Sequence, residues 1–340
     1  MTTFHFATDM SSEFYSQLQK LLYKNNHIFY HLRLINDNRL SANNDIKSLE
    51  ASSRPKLLLT LVFFLLKHRF NRTKFCFHSI FPFIFLIPIV GKNGIYIHRA
   101  SDYHSLRKTF PRLLLYVAVK LGIKIKFKSV SSKRKLEKSL GLSFSNTSLL
   151  LNPLREVFFE PYISTVKDKE KSKFKILIIA EEHERKGIYE SCIAGLMYSK
   201  VTSSFVKVEH IGVDRKEKIL EKCSLLESKY FQFFHNSKKF RSKDIRDKIQ
   251  NADVVMLPSI NETFGMVYVE ALATGRAVIG VKGEGLYGTY PISKQIIFSK
   301  SQEPKDLLEA LKKVPEFSPN IKVIHDMFSP DNIIRCWSDI

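Results

Sequence analysis

Only four cysteines, Cys76, Cys192, Cys223 and Cys336, are scattered through the 340 residues. No Cys-x-x-Cys pair and no Cys/His cluster with metal-ligand spacing is present. Neither a disulfide framework nor a zinc module is therefore expected, and the thiols read as reduced. The opening residues MTTFHFATDMSSEF lack a basic stretch leading into an apolar one, so no signal peptide is expected. Long apolar runs are scarce too. Leu57–Leu66 is too short to cross a bilayer, and Phe75–Val90 is interrupted by His78, Pro82 and Pro88. Both runs read as buried core, with shallow membrane contact as the alternative. No solenoid repeat, low-complexity tract or nucleic-acid-binding signature is visible.

What is abundant is positive charge, and it is unevenly placed. The net charge is +21, and residues 51–150 supply +17 of it from 19 basic and 2 acidic side chains. Such a field attracts phosphate-rich partners: nucleic acid, an anionic membrane surface or a pyrophosphate-linked lipid. Lys124, Lys126 and Lys128 alternate with Ile123, Ile125 and Phe127, which reads as a strand with one wet basic face.

Strand and helix patterns alternate along the second half with short connections. Lys173–Ala180, Ser204–Val213, Tyr230–His235, Val254–Pro258 and Arg276–Val281 read as strands. Gly187–Ser199, Arg215–Ser228, Lys243–Gln250, Met266–Thr274 and Lys305–Lys313 read as helices. The first half is less regular. Its expected strands are Phe4–Ala7, His27–Leu32, Lys74–His78, Gly94–His98, Lys124–Lys128 and Leu149–Asn152, and its expected helices include Ser11–Lys24 and Lys56–Lys67. This rhythm predicts doubly wound parallel sheets in two domains. The polar stretch Ile163–Lys173 is the expected linker. It divides an N-terminal domain (1–165) from a C-terminal one (166–325), and a terminal helix (326–340) is expected to return to the first.

Asn251–Gly285 (NADVVMLPSINETFGMVYVEALATGRAVIGVKGEG) carries chemistry. A buried strand ends in the polar loop Ser259–Thr263, followed by Phe264-Gly265 and a helix from Met266. Loops at the carboxyl ends of such strands bind ligands. The first-turn N–H groups of Gly265, Met266 and Val267, together with the helix dipole, form an anion site suited to a diphosphate. Glu262 and Glu270 bracket the turn, and a carboxylate can hold vicinal hydroxyls. Taken alone, Glu262 can simply favour the helix terminus and Glu270 can face solvent.

The whole string resembles the donor-binding signature of retaining glycosyltransferases with the GT-B fold, the family 4 type or glycosyl transferases group 1. Its parts here are Ala252-Asp253, Leu257-Pro258-Ser259, Glu262, Phe264-Gly265, Glu270, Ala271 and Gly275. A second likeness is the loop after Ile176–Ala180, which ends in Arg185-Lys186-Gly187. Lys186 matches the family's diphosphate-binding lysine. Three departures stand out. Ala180 holds a place where the family commonly has Arg, Ser or Gly, so Arg185 is the alternative phosphate contact. Ala7–Ser12 replaces the family's Gly-rich N-terminal loop, and the usual Gly-Gly after Gly285 is missing.

The resemblance implies an α/β protein of GT-B fold, with two Rossmann-like doubly wound domains facing across a cleft. It further implies a hexosyl or related transferase moving sugar from a nucleotide-diphosphate donor to a glycan or polyprenyl-diphosphate-linked acceptor, with retention of configuration. Glu262 would contact the sugar, Lys186 and Arg185 the diphosphate, and Glu270 the ribose. His98, with Arg99 and Asp102, is the better match to the family's active-site His, and His78 the weaker one; a structural role is the alternative for both. No Asp-x-Asp occurs, so no metal and no cofactor are expected. The basic, apolar-rich N-terminal half points to a cytoplasmic enzyme at the inner membrane face, in surface-polysaccharide assembly such as O-antigen, capsule or lipopolysaccharide. A GT-B-fold nucleotide-sugar epimerase and a basic nucleic-acid-binding protein are the rival readings, although nucleic acid is not the expected partner.

Overall fold

The apolar run Lys173–Ile179 (β7) is flanked on both sides by parallel neighbours, as its lack of alternation demands. A computed structural model of the chain describes residues 2–7, 13–34, 46–68, 73–98, 102, 109–144, 149–160, 173–215, 218–238, 240–338 and 340. They form two compact units, Met1–Pro153 with Phe328–Ile340, and Leu154–Met327. The units divide earlier in the chain than the polar stretch chosen from sequence, of which residues 163–172 lie outside the described residues.

The first unit holds β1 (Thr3–Ala7), β2 (His27–Leu34), β3 (Lys47–Ala51), β4 (Lys74–Phe77), β5 (Gly94–Ile97) and β6 (Lys124–Lys126), all parallel, in the order β3-β2-β1-β4-β5-β6. Its helices are α1 (Glu13–Leu22), α2 (Arg54–His68), α3 (Ile80–Val90), α4 (Thr109–Lys120) and α5 (Val130–Leu140). One core cluster joins Phe4, Phe6, Phe75 and Phe77 of the sheet to the inward sides of α2, α3 and α4. Leu57–Leu66 and Phe75–Val90 are thus core on one side only. Leu59, Phe63, Phe81 and Phe85 face outward.

The expected wet face of β6 is not there. Lys124 is exposed, but Lys126 and Lys128 are buried. A parallel sheet in an α/β unit is covered on both faces, so alternation does not mark a solvent side. Lys128 Nζ donates to Asn152 Oδ1. Leu149–Asn152 is not a full strand; Leu149 makes a single parallel bridge to Phe127.

On the sheet face away from the Phe4, Phe6, Phe75 and Phe77 core, the ladder places His5 beside Cys76. The donor atoms of His5, Cys76 and His78 lie within 4.8 Å of one another, a cluster of metal-ligand chemistry that their wide sequence spacing concealed. The histidines also form a chain: Tyr15 OH to His78 Nδ1 (3.3 Å), His78 Nε2 to His5 Nδ1 (3.0 Å), and His5 Nε2 to His27 Nδ1 (2.7 Å). The three bonds are satisfied when Tyr15, His78 and His5 each donate one hydrogen along the chain and His27 Nδ1 accepts the last. Trp337, on helix Pro330–Ser338, stacks on His78 and donates to Leu151 O at 2.8 Å.

Burial lowers these groups: His5 well below its ordinary value, and His27 from 6.5 to about 4. In the second unit His210 is likewise lowered by burial to about 4. The unfolded chain therefore takes up protons below pH ~6.5 that the folded chain refuses until about pH 4. Stability is full above pH ~6.5 and is lost as pH falls through that window, at ~1.4 kcal/mol per pH unit for each such His. The melting temperature is expected to fall steeply between pH 6.5 and 4.5; a flat profile there contradicts neutral buried histidines.

The second unit continues from β7 with β8 (Phe205–Ile211), β9 (Phe231–Asn236), β10 (Val254–Met256), β11 (Ala277–Val281) and β12 (Ile297–Ser299), in the order β12-β11-β10-β7-β8-β9. Its helices are α6 (Ile188–Thr202), α7 (Ile219–Ser224), α8 (Ser242–Gln250), α9 (Met266–Ala273), α10 (Pro304–Leu311) and α11 (Ile321–Met327). The helix expected over Arg215–Ser228 shrinks to α7 because buried Glu182 accepts the N–H groups of Arg215, Ile219 and Leu220, which fixes where the helix begins. Strand order reverses between β7 and β10. That switch point, at the carboxyl ends, is where open α/β sheets bind ligands.

Candidate active site

The loops after β7 and β10 meet at the switch point. After β7 the chain makes the short turn Glu184–Lys186, opened by His183 Nδ1 accepting the Arg185 N–H (3.3 Å) and closed by left-handed Gly187. After β10, the Ile260 N–H donates to Arg185 O (2.8 Å), and Gln302 Nε2 donates to both Arg185 O and Pro258 O. These bonds hold Lys186 against the loop that carries Glu262.

Lys186 Nζ lies 3.1 Å from Glu262 Oε2, with both side chains largely buried. The other oxygen, Oε1, accepts the Thr263 N–H at 3.1 Å. Burial pushes the Glu262 carboxyl up, but Lys186, Arg185 and the Phe264 N–H outweigh it and hold the group below its usual range. Glu262 is an anion with both oxygens engaged. The backbone of its loop is fixed by Glu284, whose Oε2 accepts the Glu262 N–H (2.9 Å), and by the Gly285 N–H donating to Glu262 O (3.0 Å).

Gly265 caps α9 with φ +83°, and a Cβ there would fall 2.7 Å from the ring of Tyr268. That ring is buried, and its hydroxyl donates to Leu257 O at 2.6 Å. Glycine thus lets the loop fold over Tyr268 and turn into the helix. The N–H groups of Gly265, Met266 and Val267 meet no acceptor among the described residues. Nearby, Arg185 Nη1 and Ser259 Oγ are buried with no hydrogen-bond partner. An unpaired buried donor costs about 1–3 kcal/mol, so such atoms mark where a ligand's acceptors belong. The side chain of Phe264 is buried beneath the turn.

Glu270 is buried, not solvent-facing. Arg155 Nη2 pairs with its Oε1 at 2.8 Å, and Arg155 Nη1 also donates to Ser242 Oγ at 2.8 Å. Arg155, Glu284 and Gln302 were not singled out in the sequence. A lone Arg two residues after a proline gives no local signal, and the pairing with Glu270 spans 115 positions.

His98 belongs to the first unit. It is fully enclosed rather than presented to solvent. Its Nδ1–H donates to Tyr96 OH (3.0 Å), which donates to Asp102 Oδ2 (2.6 Å), and Asp102 Oδ1 accepts the Ile80 N–H. Burial lowers His98 to about 3, so the ring is neutral. Arg99 lies outside the described residues. His78 sits at the first unit's own switch point, after β4, within the histidine chain.

Residues 169–316 match the family model described as Glycosyl transferases group 1, and that span contains Arg185, Lys186, Glu262, Gly265 and Glu270. Two curated relatives are each a D-inositol 3-phosphate glycosyltransferase. The chain is 40% identical over 62 residues to that of Corynebacterium urealyticum, covering 18% of this chain and 15% of the relative. It is 35% identical over 72 residues to that of Corynebacterium kroppenstedtii, covering 21% and 16%. The matches thus span under a fifth of those relatives' length.

Among solved structures, Anabaena HepE in complex with UDP and glucose superposes with a TM-score of 0.71 at 14% identity, covering 100% of this chain and 99% of that one. The Escherichia coli trehalose-6-phosphate protein bound with UDP-2-fluoro glucose gives 0.72 at 11% identity, covering 100% and 97%. At such identities the likeness establishes the fold, which is GT-B, built of two Rossmann-like units. Within the second unit, residues 169–316 are similar to the Glycosyl transferases group 1 family.

Proposed function

We propose that the protein is a glycosyltransferase that moves a sugar from a nucleotide-diphosphate sugar to a hydroxyl of a glycan or lipid-linked acceptor. The observation that carries this reading is the convergence, at one switch point, of Lys186, the orphaned donors of Arg185 and Ser259, and the free N–H groups of α9. All are donors, and all suit the two phosphates of such a substrate. The relatives whose structures hold UDP or a UDP sugar support a nucleotide-sugar donor.

In this reading the bond from the anomeric carbon to the diphosphate breaks and the phosphate keeps the electron pair. Lys186, Arg185 and the N–H groups of Gly265–Val267 stabilise that growing charge, an electrostatic role that needs no divalent ion. Glu270, oriented by Arg155, accepts from the ribose hydroxyls. Glu262 contacts the sugar. Its carboxylate oxygens are held by Lys186 and the Thr263 N–H, which favours a contact and positioning role over a nucleophilic one. The acceptor hydroxyl then attacks from the face the diphosphate leaves, passing its proton to a phosphate oxygen, so the configuration is retained. The +17 charge of residues 51–150 supports an acceptor at an anionic membrane surface and a place in surface-polysaccharide assembly.

The test is incubation with UDP-, GDP- and dTDP-sugars, with and without glycan acceptors, and NMR of the product. Acceptor-dependent release of nucleotide with a retained anomer is expected. Release without any acceptor indicates the epimerase or hydrolase class, and an inverted product refutes retention.

A further inference from the structure

Helices α2, α3 and α4 form one layer over the first unit's sheet, and each has a second apolar stripe on its outer side. On α2, Leu57, Leu61 and Leu65 point inward, while Leu59, Phe63 and Leu66, at i, i+4 and i+7, are exposed, Phe63 to 71%. On α3, Phe81 and Phe85 are exposed, with rings 5.7 Å apart. On α4, Leu115 and Ala118 are buried, while Phe110, Leu113 and Val117 are exposed, Phe110 to 62%. A helix packed on a sheet ordinarily carries one apolar stripe and a polar outer face. Three neighbouring helices that share an apolar outer face make a patch of the kind that marks an interaction surface.

The charges around this patch are of one sign. Arg54, Lys56 and Lys67 on α2, Lys92 just after α3, and Arg112 and Lys120 on α4 are all exposed. Between Ala51 and Leu136 the sequence holds a single carboxylate, Asp102. It is buried against the Ile80 N–H and Tyr96 OH, so within that stretch no exposed carboxylate offsets the cations. A protein partner of mixed charge would find nothing to pair with its own lysines here. A bilayer with anionic headgroups matches both features: acyl chains for the Phe and Leu side chains, phosphates for the basic rim. None of the helices among the described residues is long and apolar enough to cross a membrane, so contact is from one side.

We propose that the outer face of α2, α3 and α4 docks on an anionic lipid surface, with Phe63, Phe85 and Leu113 entering the boundary between headgroups and acyl chains. The proposal deepens the membrane-side acceptor suggested above and rests on that reading for its purpose, though not for its geometry. In the bound state the acceptor-side unit would work at the plane where a lipid-linked hydroxyl resides.

The experiment is flotation of the full-length protein with phosphatidylcholine vesicles, pure or containing about one-third phosphatidylglycerol, a composition that gives a negative surface. The protein is expected to float with the anionic vesicles and not with the neutral ones. Phe63→Glu combined with Phe85→Glu is expected to lower the bound fraction at least about tenfold, as insertion is lost. Lys56→Glu with Arg112→Glu, which leaves the apolar residues in place, should lower it too. Each variant's thermal shift with nucleoside diphosphate should match wild type, which shows an intact donor unit and separates this test from that of the transferase reading. Wild-type protein that stays with the soluble fraction at low salt overturns the proposal. So does flotation unaffected by both double variants, or a solution dimer that Phe63→Glu disperses in protein that never floats, which would assign the face to a second copy.

Discussion

Lys186→Ala is expected to lower kcat by about two orders of magnitude, the loss typical of removing one preorganised donor to a developing anion, ~2.7–4 kcal/mol. Lys186 is the charged group closest to Glu262, at 3.1 Å, and Glu262 holds its ammonium in place before any phosphate arrives. Losing it has a second effect. Glu262 would be a buried anion without its main counter-ion, and breaking a buried pair from one side destabilises by about 3–5 kcal/mol. Lys186→Ala combined with Glu262→Gln removes that stray charge, so the double variant should regain melting temperature but not turnover. Near-normal kcat in the folded Lys186→Ala protein contradicts the assignment.

The other large effect is expected at Gly212, which touches no proposed ligand. A Cβ there would lie 1.6 Å from Ala180 O. That carbonyl already accepts from His210 Nε2 at 2.8 Å, and the Ala180 N–H donates to Ile211 O at 3.0 Å. Neither backbone can yield without breaking the β7–β8 ladder from which the Lys186 loop departs. Overpacking of this kind costs ~3 kcal/mol or more. In a unit of this size that is roughly a 10 °C fall in melting temperature. Gly283→Ala is the control. Gly283 has φ +83° and no atom within 4 Å of a built Cβ, so only the left-handed backbone penalty of ~1–2 kcal/mol applies. Equal melting temperatures for Gly212→Ala and Gly283→Ala contradict the close approach.

The second unit was legible in the sequence because its signals are local. β10, the polar loop, Gly265 and α9 follow one another without a gap, and the Lys-Gly ending of the β7 loop sits where the strand periodicity stops. The features that escaped are set by tertiary register. His5 and Cys76 are neighbours only because β1 pairs with β4, and Arg155 reaches Glu270 across most of the unit's chain length. The buried Lys126 and Lys128 show the limit of alternation as a guide, since a strand inside a two-layered cover has no wet side. The outer stripe of α2 stayed between two readings, buried core and shallow membrane contact, for the opposite reason. A helix that is apolar all round reads as buried whether a second protein layer or a lipid surface covers it. His98 read as a strand-end candidate, yet its enclosure with Tyr96 and Asp102 gives it a local partner that no spacing rule indicates.

The central claim is that a nucleoside diphosphate binds at the switch point of the second unit. Melting temperature measured against UDP, GDP and dTDP, with a chelator present, tests it most directly. At least one of the three is expected to stabilise the wild-type protein, by ~2.7 kcal/mol at a hundredfold excess over Kd, and Lys186→Ala should lose most of that shift. No stabilisation by any of the three, or an undiminished shift in Lys186→Ala, would contradict the account.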